Sequence, residues 1–97
     1  MWVMTRTKLK AEAVTRAVEL LGEVYAELDE HRPDGLRYAT FQLDDPTDFI
    51  GIVELETGPR QLAELEAFQR YRSWLDDWCE TPPETTMLST IGKYRIG

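Results

Sequence analysis

The pattern of apolar positions predicts a strand and then a long helix in the first third of the chain. Residues 2–9 are rich in β-branched and aromatic types, which favours a strand. From about residue 10 to residue 32, apolar residues recur at helical spacing, which indicates a helix with one buried face. That face is expected to hold Val14, Val18, Leu21, Tyr25 and Leu28, with Ala17 and Val24 beside it. Pro33 and Gly35 should end the helix.

Two short apolar segments follow the first helix and predict a β-hairpin. Residues 36–43 and 49–55 are each rich in aromatic and aliphatic side chains, which favours strands. Between them lies the turn cluster 44–48, with three aspartates and a proline. Because so short a link can join only neighbouring strands, we expect the two to pair antiparallel.

The last third of the chain predicts a second helix and a final strand. Residues 56–61, which include Gly58 and Pro59, are expected to open the helix, and Pro82 and Pro83 cannot continue it. Its expected buried stripe is Leu65, Phe68, Tyr71, Leu75 and Trp78. Trp74 falls at the margin of that stripe, so we expect truncation of Trp78 to destabilise the protein more than truncation of Trp74. Residues 84–94 predict the last strand.

The order of these elements predicts one α+β domain over residues 1–97. The sequence β-α-β-β-α-β is that of the ferredoxin-like fold, in which two helices cover one face of an antiparallel sheet. The third strand does not alternate between apolar and polar residues. Ile50 and Ile52 point one way, whereas Phe49 and Val53 point the other. Since two helices cannot cover both faces, we expect a homodimer joined through sheet faces, the alternative being edge irregularities of a monomer.

Charge and composition exclude several classes of function. The chain has 97 residues and a formal net charge of −7, which repels nucleic acid and anionic lipid. No apolar run approaches the roughly 20 residues that span a bilayer, and no signal peptide is visible, so we expect a cytoplasmic location. Cys79 is the single cysteine, which excludes an intrachain disulfide and a CxxC metal site. The aspartates of the turn cluster are read as a turn, so no metal is predicted.

Most motifs that identify an enzyme from its sequence are absent. The chain has no asparagine and one histidine, His31, which is expected to lie in the last turn of the first helix as a surface residue. Neighbouring carboxylates should raise the pKa of the Cys79 thiol, which argues against a reactive cysteine. No phosphate-binding or nucleophile-elbow motif is present. The catalytic residues, if there are any, are not defined by the sequence.

The chain nevertheless resembles the antibiotic biosynthesis monooxygenase-like family of the dimeric α+β barrel superfamily. The resemblance rests on three segments, PDGLRYATFQLDD (33–45), FIGIVELE (49–56) and TIGKYR (90–95), together with the two helices. It implies a cavity between the sheet and the helices of each protomer. It also implies a monooxygenase that needs no cofactor and acts on a small aromatic or quinol-like compound. Where many relatives carry a histidine, this chain has Gly51, which implies a missing base and a roomier cavity.

Eight residues are candidates for lining that cavity. On the second strand the polar face is expected to be Tyr38, Thr40 and Gln42. The remaining candidates are Gly51 on the third strand and Tyr71, Arg72, Trp74 and Trp78 on the second helix. The aromatic residues could instead be core, and Arg72 could be a surface residue beside Asp76. Haem degradation is disfavoured because that branch uses an asparagine and a histidine at the cavity.

Two functions from different classes therefore stay open. The first is a cofactor-independent oxygenase whose aromatic walls hold a planar ring and whose Arg72 stabilises a phenolate or enolate. The second is a non-catalytic dimeric protein that binds a small apolar ligand or serves as an accessory subunit. The absence of asparagine and of a histidine at position 51 favours the second. An acidic module for a basic partner, argued from net charge alone, is a third possibility.

Overall fold

In the computed structural model, which describes residues 2–55 and 60–95, strands and helices follow one another in the predicted order. The strands are β1 (Trp2–Lys8), β2 (Leu36–Gln42), β3 (Asp48–Leu55) and β4 (Glu84–Leu88). The helices are α1 (Val14–His31), α2 (Arg60–Ala63) and α3 (Glu66–Trp78), and a 3₁₀ turn at Ala11–Ala13 leads into α1. The ferredoxin-like α+β fold is therefore confirmed.

The sheet has the strand order β2-β3-β1-β4, and all three pairs are antiparallel. The predicted hairpin of β2 and β3 is present, with Thr40 opposite Gly51. On the other side of β3, Gly51 lies opposite Thr5 of β1, and Thr5 lies opposite Thr85 of β4. One row across the sheet therefore carries only small side chains, or none.

The core lies between the sheet and the helices, on either side of that row. One buried cluster joins α1 and α3 to β3 and to the end of β1, and its members include Leu9, Leu21, Val24, Phe49 and Leu75. A second, smaller cluster consists of Val53, Leu62 and Leu65. Because apolar burial contributes about 25 cal/mol per Å² of surface, these two clusters hold the helices on the sheet.

The buried face of α1 is rotated relative to its predicted position. Val18, placed in the stripe by its spacing, is 54% exposed. Buried instead are Ala17, Leu20, Leu21 and Val24. The reason is that α1 packs against both the sheet and α3, so its contact surface centres on the small Ala17 rather than on the larger Val18.

The prediction that Trp78 belongs to the core of α3 is wrong, since its side chain is 37% exposed. Ala67, Tyr71 and Leu75 are the buried residues of this helix. Trp78 is the last helical residue, and the next residue, Cys79, pairs with Leu9 beside the end of β1. That bridge directs the chain back to the sheet edge and leaves the indole outside.

Two element boundaries also differ from those predicted. The second helix is divided, because Leu65 adopts an extended conformation between α2 and α3. The expected helix start at residues 56–59 lies outside the described residues. The last strand ends at Leu88 rather than near residue 94, because Leu88 pairs with Trp2, where β1 itself begins. The helix α1 ends at His31, close to its predicted end, and the next residue, Arg32, caps it in a left-handed conformation with φ of 44°.

The face of the sheet that points away from the helices carries apolar side chains. By strand alternation it holds Trp2, Met4, Ala39, Phe41, Ile50 and Ile52. Phe41 is 52% exposed, and the other side chains of this face are partly or fully accessible. A single chain therefore leaves an apolar surface uncovered, as the pattern of β3 predicts.

The rotated face of α1 makes a prediction about stability with a matched pair of variants. Val24→Ala should lower the free energy of unfolding by about 2–3 kcal/mol, since it removes buried methyl groups and leaves a cavity. Val18→Ala, the same change on the exposed face, should stay within about 0.5 kcal/mol of the wild type. Urea unfolding followed by circular dichroism would measure both. Equal losses would contradict the observed helix phase.

Candidate functional site

A cavity of about 180 Å³ lies between the sheet and the helices α2 and α3. Its floor is formed by strand residues on the helix-facing side of the sheet: Val3, Thr5, Thr7, Tyr38, Thr40, Phe49, Gly51 and Val53. Its roof comes from α2 and α3: Leu62, Ala63, Phe68, Tyr71, Arg72 and Leu75. The row of small residues across the sheet explains the cavity, because the threonines and the glycine of that row are too short to reach α3.

The volume limits what the cavity can hold. An engineered apolar cavity of about 150 Å³ binds benzene, whereas pockets for drug-sized ligands start at about 300 Å³. A volume near 180 Å³ therefore fits one aromatic ring with small substituents. A haem or a multi-ring compound does not fit without rearrangement.

The space that Gly51 leaves free is taken by the side chain of Tyr38. A Cβ atom at position 51 would lie 3.5 Å from both Cε1 and the hydroxyl oxygen of Tyr38. A Cβ atom at that distance would be in ordinary van der Waals contact with the phenol ring. Tyr38 therefore occupies part of the space beside Gly51, which itself lines the cavity.

Two other rings hold Tyr38 in place. The ring of Tyr25 on α1 stacks on it, with centroids 5.4 Å apart and an interplanar angle of 14°. Phe68 of α3 meets it edge to face, with centroids 6.4 Å apart and an angle of 82°. Such aromatic pairs contribute about 0.5–1.5 kcal/mol beyond their burial. The cavity wall at Tyr38 is therefore fixed by both long helices.

The hydroxyl groups at and beside the cavity form one short hydrogen bond and one longer contact. The hydroxyls of Tyr25 and Thr40 are 2.7 Å apart, and those of Thr5 and Thr85 are 3.4 Å apart. The Tyr25–Thr40 bond connects α1 to the floor of the cavity. It gives Thr40 a partner, so that its remaining hydrogen-bonding capacity can face a ligand.

The phenols at the site are held in their neutral form. Burial raises the pKa of Tyr25 to about 12, although its hydrogen bond with Thr40 acts in the opposite direction. Burial likewise raises the pKa of Tyr38 and of Tyr71. Near neutral pH these groups are therefore hydrogen-bond donors and not general bases.

Arg72 is the one charged side chain among the described residues that line the cavity. It is largely exposed, so it sits at the margin of the cavity rather than in its depth. Its positive charge lowers the pKa values of Tyr38, Tyr71 and Cys79 against the effect of burial. The structure thus places Arg72 at the cavity, where it offers a fixed positive charge to an anionic ligand.

Five of the eight candidate residues come together at this cavity, namely Tyr38, Thr40, Gly51, Tyr71 and Arg72. Gln42 is not among the lining residues, because its amide nitrogen donates a hydrogen bond to the carbonyl of Pro46 in the adjoining turn, 2.9 Å away. Trp74 and Trp78 also lie outside the cavity, further towards the C-terminal end of α3. There they stack in series on Tyr71, with centroids 6.4 Å and 6.2 Å apart.

The sequence analysis missed the contribution of β1 and of the partner ring on α1. Thr5 and Thr7 face the cavity because they alternate with Met4 and Arg6 along β1. Pairing β1 with β3 would have shown this, since it brings Thr5 opposite Gly51. Tyr25 was assigned to the buried stripe of α1, but nothing local to its sequence indicates that its hydroxyl meets Thr40.

The remaining candidates for chemistry have structural roles. Burial, and then the charge of Asp76, raise the pKa of the Cys79 thiol, so it is not activated. The Asp45 carboxylate accepts hydrogen bonds from the backbone and hydroxyl of Thr47 and pairs with Lys8, which is a turn arrangement and lowers its pKa. Within residues 2–55 and 60–95, no group of three or more possible metal ligands comes together. The helices of that same part of the chain are too short or too polar to cross a membrane.

Several solved structures share the fold of this chain, and most of those compared are described as antibiotic biosynthesis monooxygenases. A candidate antibiotic biosynthesis monooxygenase from Nitrosomonas europaea superposes with a TM-score of 0.76 and 19% identity, covering 95% of this chain and all (100%) of that one. An antibiotic biosynthesis monooxygenase of 19% identity gives 0.72, with 94% and 98% covered. A conserved protein from Methanosarcina mazei Go1 gives 0.73 at 19% identity, with 88% and 86% covered.

The chain therefore has the fold of the solved antibiotic biosynthesis monooxygenases, and the resemblance in the sequence is confirmed at that level. No protein-family model and no curated protein matches the chain in sequence. At 19% identity the likeness shows the architecture, while substrate and reaction are not transferred with it.

The buried phenol of Tyr25 predicts a loss of stability in alkali. Its pKa is raised in the folded protein, so the unfolded chain releases the proton first, and stability should fall as pH rises from about 10 towards 12. Tyr25→Phe should make the decline shallower, whereas Tyr94→Phe, at an exposed site, should leave it unchanged. Thermal melts across this pH range would measure the slopes. An unaltered slope in Tyr25→Phe would assign the decline to other groups.

Proposed function

We propose that the protein binds a single-ring phenol or dihydroxyaromatic in the sheet–helix cavity and oxidises it with O₂, without a resident cofactor. The observation that carries this proposal is the cavity itself. It has the volume of one substituted ring, aromatic walls at Tyr38, Phe68 and Tyr71, and one cation, Arg72, at its margin. The reaction class is taken from the solved structures that share the fold.

The proposed oxygenation requires only a few functions of the side chains that line the cavity. An oxygenation of this type converts a dihydroxyaromatic and O₂ into a hydroxyquinone and water, so the substrate itself supplies the electrons. The protein has to hold the ring and stabilise the phenolate form, which is the form that reacts with O₂. Flat walls hold the ring, and the guanidinium of Arg72 would favour the phenolate by its fixed charge. The hydroxyls of Tyr38 and Thr40 would donate hydrogen bonds to a ring oxygen.

A second candidate is a protein that binds the same ligand without converting it, alone or as an accessory subunit. Its support is the lack of a base. In the described part of the chain no histidine, aspartate or glutamate lines the cavity, and the tyrosines there have raised pKa values. A bound phenol would then lose its proton only to solvent.

Oxygen uptake together with calorimetry would decide between the two functions. The panel consists of phenol, catechol and hydroquinone, with naphthol as a two-ring compound that should be excluded by size. Uptake of O₂ that rises with protein concentration supports the oxygenase, and binding without uptake supports the second candidate. Absence of both binding and uptake would overturn the proposal.

The role of Arg72 can be tested with a matched pair on α3. Arg72→Met should weaken binding of a phenolate by about tenfold, since a charge-assisted hydrogen bond contributes about 1.5–3 kcal/mol and 1.4 kcal/mol corresponds to tenfold. Arg70→Met removes a cation that pairs with Glu23 and does not line the cavity, so affinity should not change. Calorimetry with catechol above its first pKa would measure both. Equal losses would show an effect of net charge alone.

We also propose that the apolar face of the sheet joins two copies of the chain. Trp2, Phe41 and Ile52 form its centre, on the side away from the helices. An exposed apolar surface of this kind marks an association site. Arg37 and Glu54 on the same face pair with each other at 3.6 Å, and a second copy placed by twofold symmetry would bring the apolar residues of the two sheets together.

A single charge at the centre of this face should prevent dimer formation. Ile52→Lys would bury an unpaired ammonium in the interface, which costs several kcal/mol. Light scattering should then report a monomer or aggregated material, while Val18→Lys, the same change on the exposed face of α1, should leave the dimer intact. A dimer that survives Ile52→Lys would show that the interface lies elsewhere.

A further inference from the structure

A line of three stacked rings runs from the cavity to the surface along α3. Tyr71 lines the cavity and is 5% exposed, Trp74 is partly buried, and Trp78 lies at the surface. The ring centroids are 6.4 Å apart from Tyr71 to Trp74 and 6.2 Å apart from Trp74 to Trp78. Both interplanar angles are 22°. The three residues occur at spacings that keep them on neighbouring turns of the helix.

Packing explains only part of this arrangement. Trp74 packs against the margin of the core cluster, Trp78 is 37% exposed, and neither indole lines the cavity. Tyrosine and tryptophan are, however, the side chains most easily oxidised by one electron, other than free thiols. Electron tunnelling slows exponentially with distance, so rings in near contact pass an electron much faster than a single jump over the whole span.

We propose that Tyr71, Trp74 and Trp78 form a one-electron relay that carries an oxidising equivalent out of the cavity. The oxidant at the inner end is a peroxyl radical. The reductant at the outer end is a soluble thiol or an ascorbate-like enediol. The relay itself does not depend on the proposed oxygenase activity, whereas the radical that would load it in the protein's own reaction does.

The steps balance in electrons and protons. The peroxyl radical takes an electron and the phenolic proton from Tyr71 and becomes a closed-shell hydroperoxide. The resulting tyrosyl radical takes an electron from Trp74 and a proton from solvent, and Trp74 is in turn reduced by Trp78. The oxidised Trp78 releases its indole proton to water and is restored by an electron and a proton from the soluble reductant. The net result is reduction of the cavity radical by that reductant.

Lys10 affects the outer end of the relay. Its ammonium nitrogen lies 5.7 Å from the centroid of the Trp78 ring and donates a hydrogen bond to the carbonyl of Asp77. A cation at this position opposes a cationic indole, which favours loss of the indole proton and a neutral radical. Since Trp78 is exposed, water is available to accept that proton.

The test supplies the oxidant by light, so that it does not need a known substrate. A ruthenium polypyridyl complex is coupled to a thiol introduced by Ala63→Cys in a Cys79→Ser background. Ala63 lies at the exposed rim of the cavity, on α2, and the relay leads away from it along α3. Oxidative flash-quench with hexaammineruthenium(III) generates the oxidant, and a nitroso spin trap with peptide mass spectrometry locates the radical.

The relay predicts a spin adduct at Trp78. Trp74→Phe should reduce that adduct to the background found in Trp78→Phe, and Trp74→Tyr, which restores an oxidisable ring of nearly the same size as phenylalanine, should recover it. Trp2→Phe, on the opposite face of the sheet, should have no effect. An undiminished adduct in Trp74→Phe, or equal loss in Trp74→Phe and Trp74→Tyr, would overturn the relay. Unchanged circular dichroism of each variant shows that the fold is retained.

The outcome is independent of the proposed function. A relay that works by photochemistry while no phenol is oxidised would leave the relay in place and reject the oxygenase. Oxygen uptake with no adduct at Trp78 would reject the relay and leave the oxygenase. Replacing Lys10 by Gln should lengthen the lifetime of the cationic indole in transient absorption, which tests the role of the ammonium group.

Discussion

The architecture of the site depends on a row of small residues across the sheet. Thr40, Gly51 and Thr5 lie side by side on three neighbouring strands, because the antiparallel register aligns them. A row of leucines there would have filled the space beneath α3 and joined the two hydrophobic clusters into one. The small residues instead leave a cavity, and the clusters on either side keep its walls in place.

Tyr38 lies beside Gly51. Its phenol is 3.5 Å from the position that a Cβ at residue 51 would take, and Tyr25 and Phe68 hold the ring from two helices. The polar end of the cavity therefore consists of the neutral phenol of Tyr38, the hydrogen-bonded hydroxyls of Tyr25 and Thr40 and, at the margin, Arg72. Such a site presents hydrogen-bond donors and a fixed positive charge, but the described residues that line it supply no strong base.

Much of the fold was predictable because it follows from local pattern. The period of the apolar residues located the strands β1 to β3 and both long helices, and two proline positions ended the second of them. The uncovered apolar face was also predictable, since β3 lacks alternation. Once the fold was assumed, alternation along the strands placed Tyr38, Thr40 and Gly51 at the cavity. The apolar stripe of the second helix placed Tyr71 there.

The sequence by itself determined which residues have the chance to be buried, and the tertiary structure decided which of them are. Val18 and Trp78 have the right spacing and the right chemistry for a core, yet α1 turns towards α3, and the bridge from Cys79 to Leu9 leaves the indole outside. Helical periodicity fixes a face only to within about one position, because residues 100° apart can both be apolar. The stacked rings of α3 and the Tyr25–Thr40 bond likewise needed the packing of distant elements, which no local pattern contains.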